Sequence, residues 1–169
     1  MKKLKNLLLV IALILFNVNL FSQVTATANA SATIITPIAI SKTADMNFGN
    51  VAVSTSLGSV ILTPAGSRSS TGGVSLPASA GTVAAAAFTV TGATDYTFSI
   101  TLPAAALTID DGASNTMTVS SFTSTPTPTG TLTGGSVSLS VGATLNVGAS
   151  QVAGVYTSDT PFDVIVNYN

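Results

Sequence analysis

The chain contains no cysteine, no histidine and no tryptophan, glutamate is missing as well, and only 7% of its 169 residues are charged. Without cysteine there is no disulfide to staple the fold, no thiolate to attack a substrate or hold zinc, and no lipidated thiol to tether the protein. Without histidine the usual general base at neutral pH, and the commonest metal ligand, are gone. What remains for acid–base chemistry is a set of isolated aspartates with no visible pairing. Ser69-Ser70 beside Arg68 has no His or Lys to activate a hydroxyl. Asp110-Asp111-Gly112 reads as a turn, since a calcium loop needs further acidic positions nearby. The chain is therefore expected to be no enzyme, with no catalytic, cofactor-binding or metal-binding residues and no cofactor.

Charge is also unevenly placed. Lys2, Lys3 and Lys5 precede an apolar run from Leu7 to Phe16, and Asn17 and Asn19 follow. That is the layout of a secretory signal peptide over residues 1–22. The apolar core is shorter than the roughly 20 residues a spanning helix needs. A retained signal-anchor is the alternative. Ser22 supplies a small residue before the cut, so Gln23 is the expected mature N-terminus, with Ala26-Thr27-Ala28 as a later site. After cleavage only Lys42 and Arg68 stand against six aspartates, a net charge of 2 − 6 = −4. Two scattered cations cannot neutralise a phosphate backbone, so nucleic acid is excluded as a partner. An anionic membrane surface is disfavoured on the same ground, and no second apolar run offers the mature form a membrane span. The expected location is outside the inner membrane: cell surface, extracellular medium or periplasm.

Residues 23–169 are one domain's worth of chain, enough to bury roughly 68–70% of the unfolded surface. Hydrophobic periodicity is that of strands. Val24, Ala26, Ala28, Ala30 and Ala32 fall on one parity, with Thr25, Thr27, Asn29 and Ser31 on the other. Further predicted strands are Ile38–Ser41, Met46–Val53, Gly58–Leu62, Val74–Leu76, Thr82–Thr91, Tyr96–Leu102, Leu107–Ile109, Thr116–Thr123, Ser136–Val141, Thr144–Val147 and Phe162–Tyr168. Ala84–Ala87 has helix-forming composition, but Val83, Phe88, Val90 and Gly92 around it favour a strand. Turn signals separate these runs at Pro64-Ala65-Gly66, Gly72-Gly73, Asp110-Asp111-Gly112, Gly134-Gly135 and around Pro126 and Pro128. Many short strands with Gly- and Pro-rich turns predict an all-β, antiparallel sandwich. Aromatics spread along the chain suit a core filled from two facing sheets.

Three stretches carry a family resemblance. Ala32-Thr33-Ile34-Ile35-Thr36-Pro37-Ile38 with Asp45-Met46-Asn47-Phe48-Gly49-Asn50-Val51 resembles the opening of a family of small secreted bacterial proteins, the domain of unknown function DUF4402. Val60-Ile61-Leu62-Thr63-Pro64-Ala65-Gly66, Phe88-Thr89-Val90-Thr91-Gly92 and Tyr96-Thr97-Phe98-Ser99-Ile100 are similar to its middle strands. Val141-Gly142-Ala143-Thr144-Leu145, Gly154-Val155-Tyr156 and Phe162-Asp163-Val164-Ile165-Val166-Asn167-Tyr168 are similar to its closing region. The resemblance implies an immunoglobulin-like sandwich with no assigned activity. The closing segment, with penultimate Tyr168 and upstream Gly154, also resembles the C-termini of chaperone–usher pilins and spore-coat-U-type proteins. Its Thr157–Pro161 loop departs from the pilin spacing, and the pilin cysteines are missing.

A sandwich with an open edge can be completed by an extended segment of another chain. Val24–Ala32, short and alternating, is either such a donor or the first strand of its own sandwich. The candidate assembly residues are Val24, Ala26, Ala28, Ala30 and Ala32 as donor, and Phe162, Val164, Val166 and Tyr168 beside the acceptor edge. Two functions follow. One is a pilin-like or coat-like structural subunit, with copies of itself or a secretion chaperone and assembly system as partners. The other is a monomeric exported binding module for a surface carbohydrate or matrix component, contacting it through loops at Ser67–Gly73 and Ser124–Gly130. Against the second, carbohydrate platforms are commonly built on exposed aromatics, and there is no Trp.

Overall fold

The computed structural model describes residues 23–169. The expected signal peptide lies outside the described residues. Two compact units divide the chain after Ile34. In the first, residues 23–34 carry no strand and are exposed throughout. The second, Ile35–Asn169, is an all-β body of ten strands: β1 (Ala39–Ala44), β2 (Ala52–Leu62), β3 (Arg68–Ser75), β4 (Ala86–Thr91), β5 (Thr97–Thr101), β6 (Leu107–Asp110), β7 (Thr116–Thr125), β8 (Thr129–Thr131), β9 (Ser136–Val147) and β10 (Ile165–Tyr168).

β9 organises the body. Its odd positions Leu139, Val141, Ala143, Leu145 and Val147 are all buried, while Ser138, Ser140, Thr144 and Asn146 fall on the other face. That period of two turns one apolar face inward along the whole strand. Its first half pairs with β4, its second half with β2, and its other edge with β7. All pairings are antiparallel. The larger sheet runs β1-β4-β9-β2-β3, with β6 and β7 joined through β9, and the smaller sheet runs β10-β5-β8.

Two apolar clusters fill the interior. Val90, Leu139 and Val141 of the larger sheet meet Phe98 and Val166 of the smaller one, with Leu132 beside them. Val60, Val74, Val119, Ala143, Leu145 and Val147 form the second, where β2, β3 and β7 converge on the latter half of β9. Met46 and Phe122 pack against both clusters and link them.

The structure corrects several sequence expectations. Ser136–Val141 and Thr144–Val147 are one strand, because Gly142 continues the ladder: a Cβ there would strike the carbonyl of Leu62. Gly72-Gly73 is no turn but lies inside β3, opposite a register shift in β2. Gly72, at φ +67°, takes a left-handed conformation that suits a β-bulge. Met46–Val53 is mostly not a strand: Asn47 makes a single bridge to Ala84, and β2 begins only at Ala52. Of Thr82–Thr91, only Ala86–Thr91 is strand, with Ala84 in that bridge. Phe162–Tyr168 is shortened to Ile165–Tyr168. β8 went unforeseen, because Pro126 and Pro128 signalled only a turn.

Candidate functional site

The expected donor residues Val24, Ala26, Ala28, Ala30 and Ala32 all lie in the exposed stretch 23–34, where no strand forms. Val24 is 92% exposed. An intramolecular first strand at Val24–Ala32 is thus not observed. The expected acceptor residues are placed differently. Val166 is buried in the first cluster, and Phe162, Val164 and Tyr168 pack partly buried against it. The Phe162 ring lies 5.0 Å from that of Phe122, centroid to centroid. These side chains therefore belong to the protein's own core. What β10 still offers is a backbone edge, since it pairs with β5 alone.

A cavity of about 900 Å³ opens beside the second cluster. One wall is β6 and β7, through Leu107, Ile109, Met117 and Val119, and its floor includes Leu145 and Val147 of β9. The opposite wall is an arch at residues 45–53 that carries Met46 and Phe48. The arch is built by side chains. Asn47 Oδ1 accepts the Gly49 N–H at 2.8 Å, and Gly49 sits at φ +68°. Arg68 Nη1 donates to the carbonyls of Phe48 (2.6 Å) and Asn50 (2.7 Å). A guanidinium on two carbonyls substitutes for strand pairing that the arch lacks. Asn50 extends the tie, its N–H donating to Ala80 O at 2.7 Å and its side-chain amide to Ser79 O at 3.0 Å.

Over the cavity runs a strap from Gly148 to Val164, without a strand of its own. Structureless connections beyond about 12–15 residues are uncommon and often functional. Its internal ties are polar: Gln151 Nε2 donates to the Tyr156 hydroxyl at 2.9 Å, and that hydroxyl donates to Val152 O at 2.7 Å. One backbone pair joins the strap to β6: Asp110 N–H to Thr157 O (2.9 Å) and Thr157 N–H to Asp110 O (2.8 Å). Val152 and Val155 remain 53% and 82% exposed. The breakers Gly148, Gly154, Asp159 and Pro161 were the sequence signal for this strap; nothing in periodicity pointed to the cavity under it.

The polar clusters serve local structure. Asp111 Oδ1 accepts the N–H groups of Ala113 and Asn115, and its Oδ2 accepts the Asn115 amide at 2.6 Å. Asn115, foremost, and the Ala113 N–H hold its carboxyl below the ordinary carboxylate range. Asp110 likewise accepts the Gly112 N–H. Both carboxylates face their own turn, as expected. Among the described residues no group of three or more acidic side chains is placed to hold a metal. Ser69 and Ser70 lie in β3 opposite Ile61 and Val60. Of the expected contact loops, Ser67–Gly73 is almost entirely β3, whereas Ser124–Gly130 includes the Pro126–Pro128 connection between the end of β7 and the start of β8. Among the described residues no helix is long and apolar enough to cross a membrane.

Two antiparallel sheets packed face to face over a shared apolar interior define this protein as a β-sandwich. Its family model agrees with the resemblance read from the strands. The chain belongs to the domain of unknown function family DUF4402, whose model matches residues 38–168. No curated protein and no solved structure gave a match.

Proposed function

We propose that the protein is an exported, non-enzymatic structural subunit, pilin-like or coat-like, which assembles at the cell surface by β-strand addition. Residues Val24–Ala32 of one copy supply the added strand to the next. The observation that carries this reading is the state of that segment: strictly alternating, uncharged, exposed and unpaired. A strand-patterned segment with an apolar parity is normally paired or covered, because unsatisfied it recruits another sheet edge. Partners are copies of the same chain and the secretion machinery that keeps the donor apart from its acceptor until export is complete.

The test is the mass in solution of the protein from Gln23 onward, beside a form lacking Val24–Ala32. Strand addition gives detergent-resistant multimers for the first and a folded monomer for the second. Monomers in both cases would remove the reading. The competing reading is a monomeric binding module, and the cavity of about 900 Å³ favours it, because ligand sites span about 300–1,000 Å³. That reading requires a ligand-dependent rise in stability and no role for residues 24–32.

A further inference from the structure

Resting on the strand-addition reading, we infer that the acceptor is the cavity between β6 and the 45–53 arch, and that residues 148–160 of the strap, ahead of the core-packed Phe162 and Val164, are a cover displaced when the Val24–Ala32 segment of a second copy enters. The cavity of about 900 Å³ is half open, lined by Leu107, Ile109, Met117 and Val119 on one wall and by polar backbone and side chains of the arch and strap on the others, and it leaves room for an occupant. The strap does not supply one. Its Val152 and Val155 stay largely exposed, its backbone meets β6 through the Asp110–Thr157 pair, and its other ties to the sheet are the Ser150 N–H to Ser54 O and Gln151 Nε2 to Thr116 O.

β6 has an unused edge at this cavity. In an antiparallel ladder alternate residues direct their N–H and C=O to opposite sides. Asp110 bonds outward to Thr157, so Thr108, two residues earlier, also points its backbone groups away from β7. No other described backbone group bonds them. Continuing the strap's register would bring Asp159 opposite Thr108, but Ser158–Thr160 does not extend along β6 and Pro161 has no N–H to donate. The strap thus cannot zip onto β6, whereas Val24–Ala32 contains neither Pro nor Gly and carries strand periodicity.

Side-chain chemistry points the same way. Among the described residues lining the cavity Asp45 alone is charged, and Val24–Ala32 has no charge at all. The donor's apolar parity is small, one Val and four Ala, against large walls at Phe48, Met117 and Leu145. Its Thr, Asn and Ser parity would face water, replacing the exposed valines of the strap. β10 lacks this match, because its inward side chains Val166 and Tyr168 are already spent on the core.

The native chain has no cysteine, so a disulfide can lock the strap without ambiguity. Asp110 and Thr157 form a hydrogen-bonded antiparallel pair, whose Cα atoms stand about 5.5 Å apart, inside the window of about 4.4–6.8 Å for disulfides. The full mature protein carrying D110C and T157C is compared oxidised and reduced, with circular dichroism to verify an unchanged fold. The probe is a fluorescent peptide of residues 23–33. Binding to the reduced form and to wild type, weakened about tenfold or more on oxidation, is the expected result. A second variant, Thr157→Pro, removes the strap's N–H bond to β6 and should speed peptide association.

Equal binding to oxidised and reduced forms, or no change in association with Thr157→Pro, overturns the inference. If wild type still multimerises in that case, strand addition stands and uses another edge, such as β10. Absence of peptide binding, with an apolar dye filling the cavity at one site per chain, also overturns it and makes the cavity a small-molecule pocket. A wild type that is then monomeric brings down the assembly reading as well.

Discussion

Tyr168 and Ala93 are joined across 75 residues by a 2.6 Å hydrogen bond, the Ala93 N–H donating to the tyrosine hydroxyl. The same hydroxyl donates to the Thr36 carbonyl at 2.8 Å, tying the last strand to the chain that leads into β1. Space for it is made by Gly92, where any Cβ would fall on the hydroxyl and lie 2.9 Å from Leu132 Cδ1. One phenol therefore closes the body at both ends of its sequence.

Tyr168→Phe leaves an N–H and a carbonyl without their partner, at a cost of about 1–3 kcal/mol. Gly92→Ala displaces the same ring, so the double variant should lose less than the sum of the two singles. Urea midpoints of the four proteins check this, and strict additivity would contradict the shared mechanism.

Arg68 acts on neutral carbonyls, so its effect should be independent of salt. Arg68→Ala is expected to cost about 2 kcal/mol or more, the range for losing hydrogen bonds from a charged donor. The loss in urea midpoint should be the same at low and high ionic strength. Hydrogen exchange should rise at the Asn50 amide, which donates to Ala80.

Gly142→Ala places a methyl against the Leu62 carbonyl and the Thr63–Pro64 backbone. Backbone cannot swing aside as a side-chain tip can, so the expected loss is about 1–3 kcal/mol. Gly112→Ala is the contrasting control: nothing lies within 4 Å of its Cβ position, and any loss comes from its φ of +74° alone. Thermal unfolding of both measures the difference.

Asp111 gives the turn after β6 a dependence on acid. Its folded value lies below the unfolded one, so its contribution is complete above the ordinary carboxylate range. It is lost as pH falls through the lower folded value. In Asp111→Asn the decline of the urea midpoint on acidification should be shallower than in wild type. The effect is small because the group is solvated.

The fold class was legible because period-two patterning covers nearly every strand, and β9, the longest, shows it most fully. Its two predicted halves were split only because Gly142 carries the signature of a break; the close approach of the Leu62–Pro64 backbone that makes Gly necessary there is a tertiary fact. The same holds for Gly72-Gly73, which reads locally as a turn but forms a bulge opposite β2. The arch was misread as a strand for a different reason. Met46, Phe48 and Val51 are apolar enough, yet Asn47 and Arg68 capture the backbone groups that a neighbour would have bonded. The donor role proposed for Val24–Ala32 rests on its alternation, which the sequence shows directly. The proposed acceptor was not legible there, because Phe162, Val164, Val166 and Tyr168 have the right pattern for an edge and the structure buries them in the core. The cavity is assembled from segments 45–53, 107–119 and 145–162, distant in sequence and brought together by the β6–β7–β9 pairing.

The most direct test of strand donation is the parity of charge tolerance within the donor. Ala28→Asp and Ala30→Asp place a carboxylate on the face that enters the acceptor, and Thr27→Asp and Asn29→Asp place one on the face left in water. Multimer mass from light scattering should collapse to that of a monomer for the alanine variants and stay near wild type for the other two. Equal loss in all four, or none in any, would contradict an added strand at Val24–Ala32.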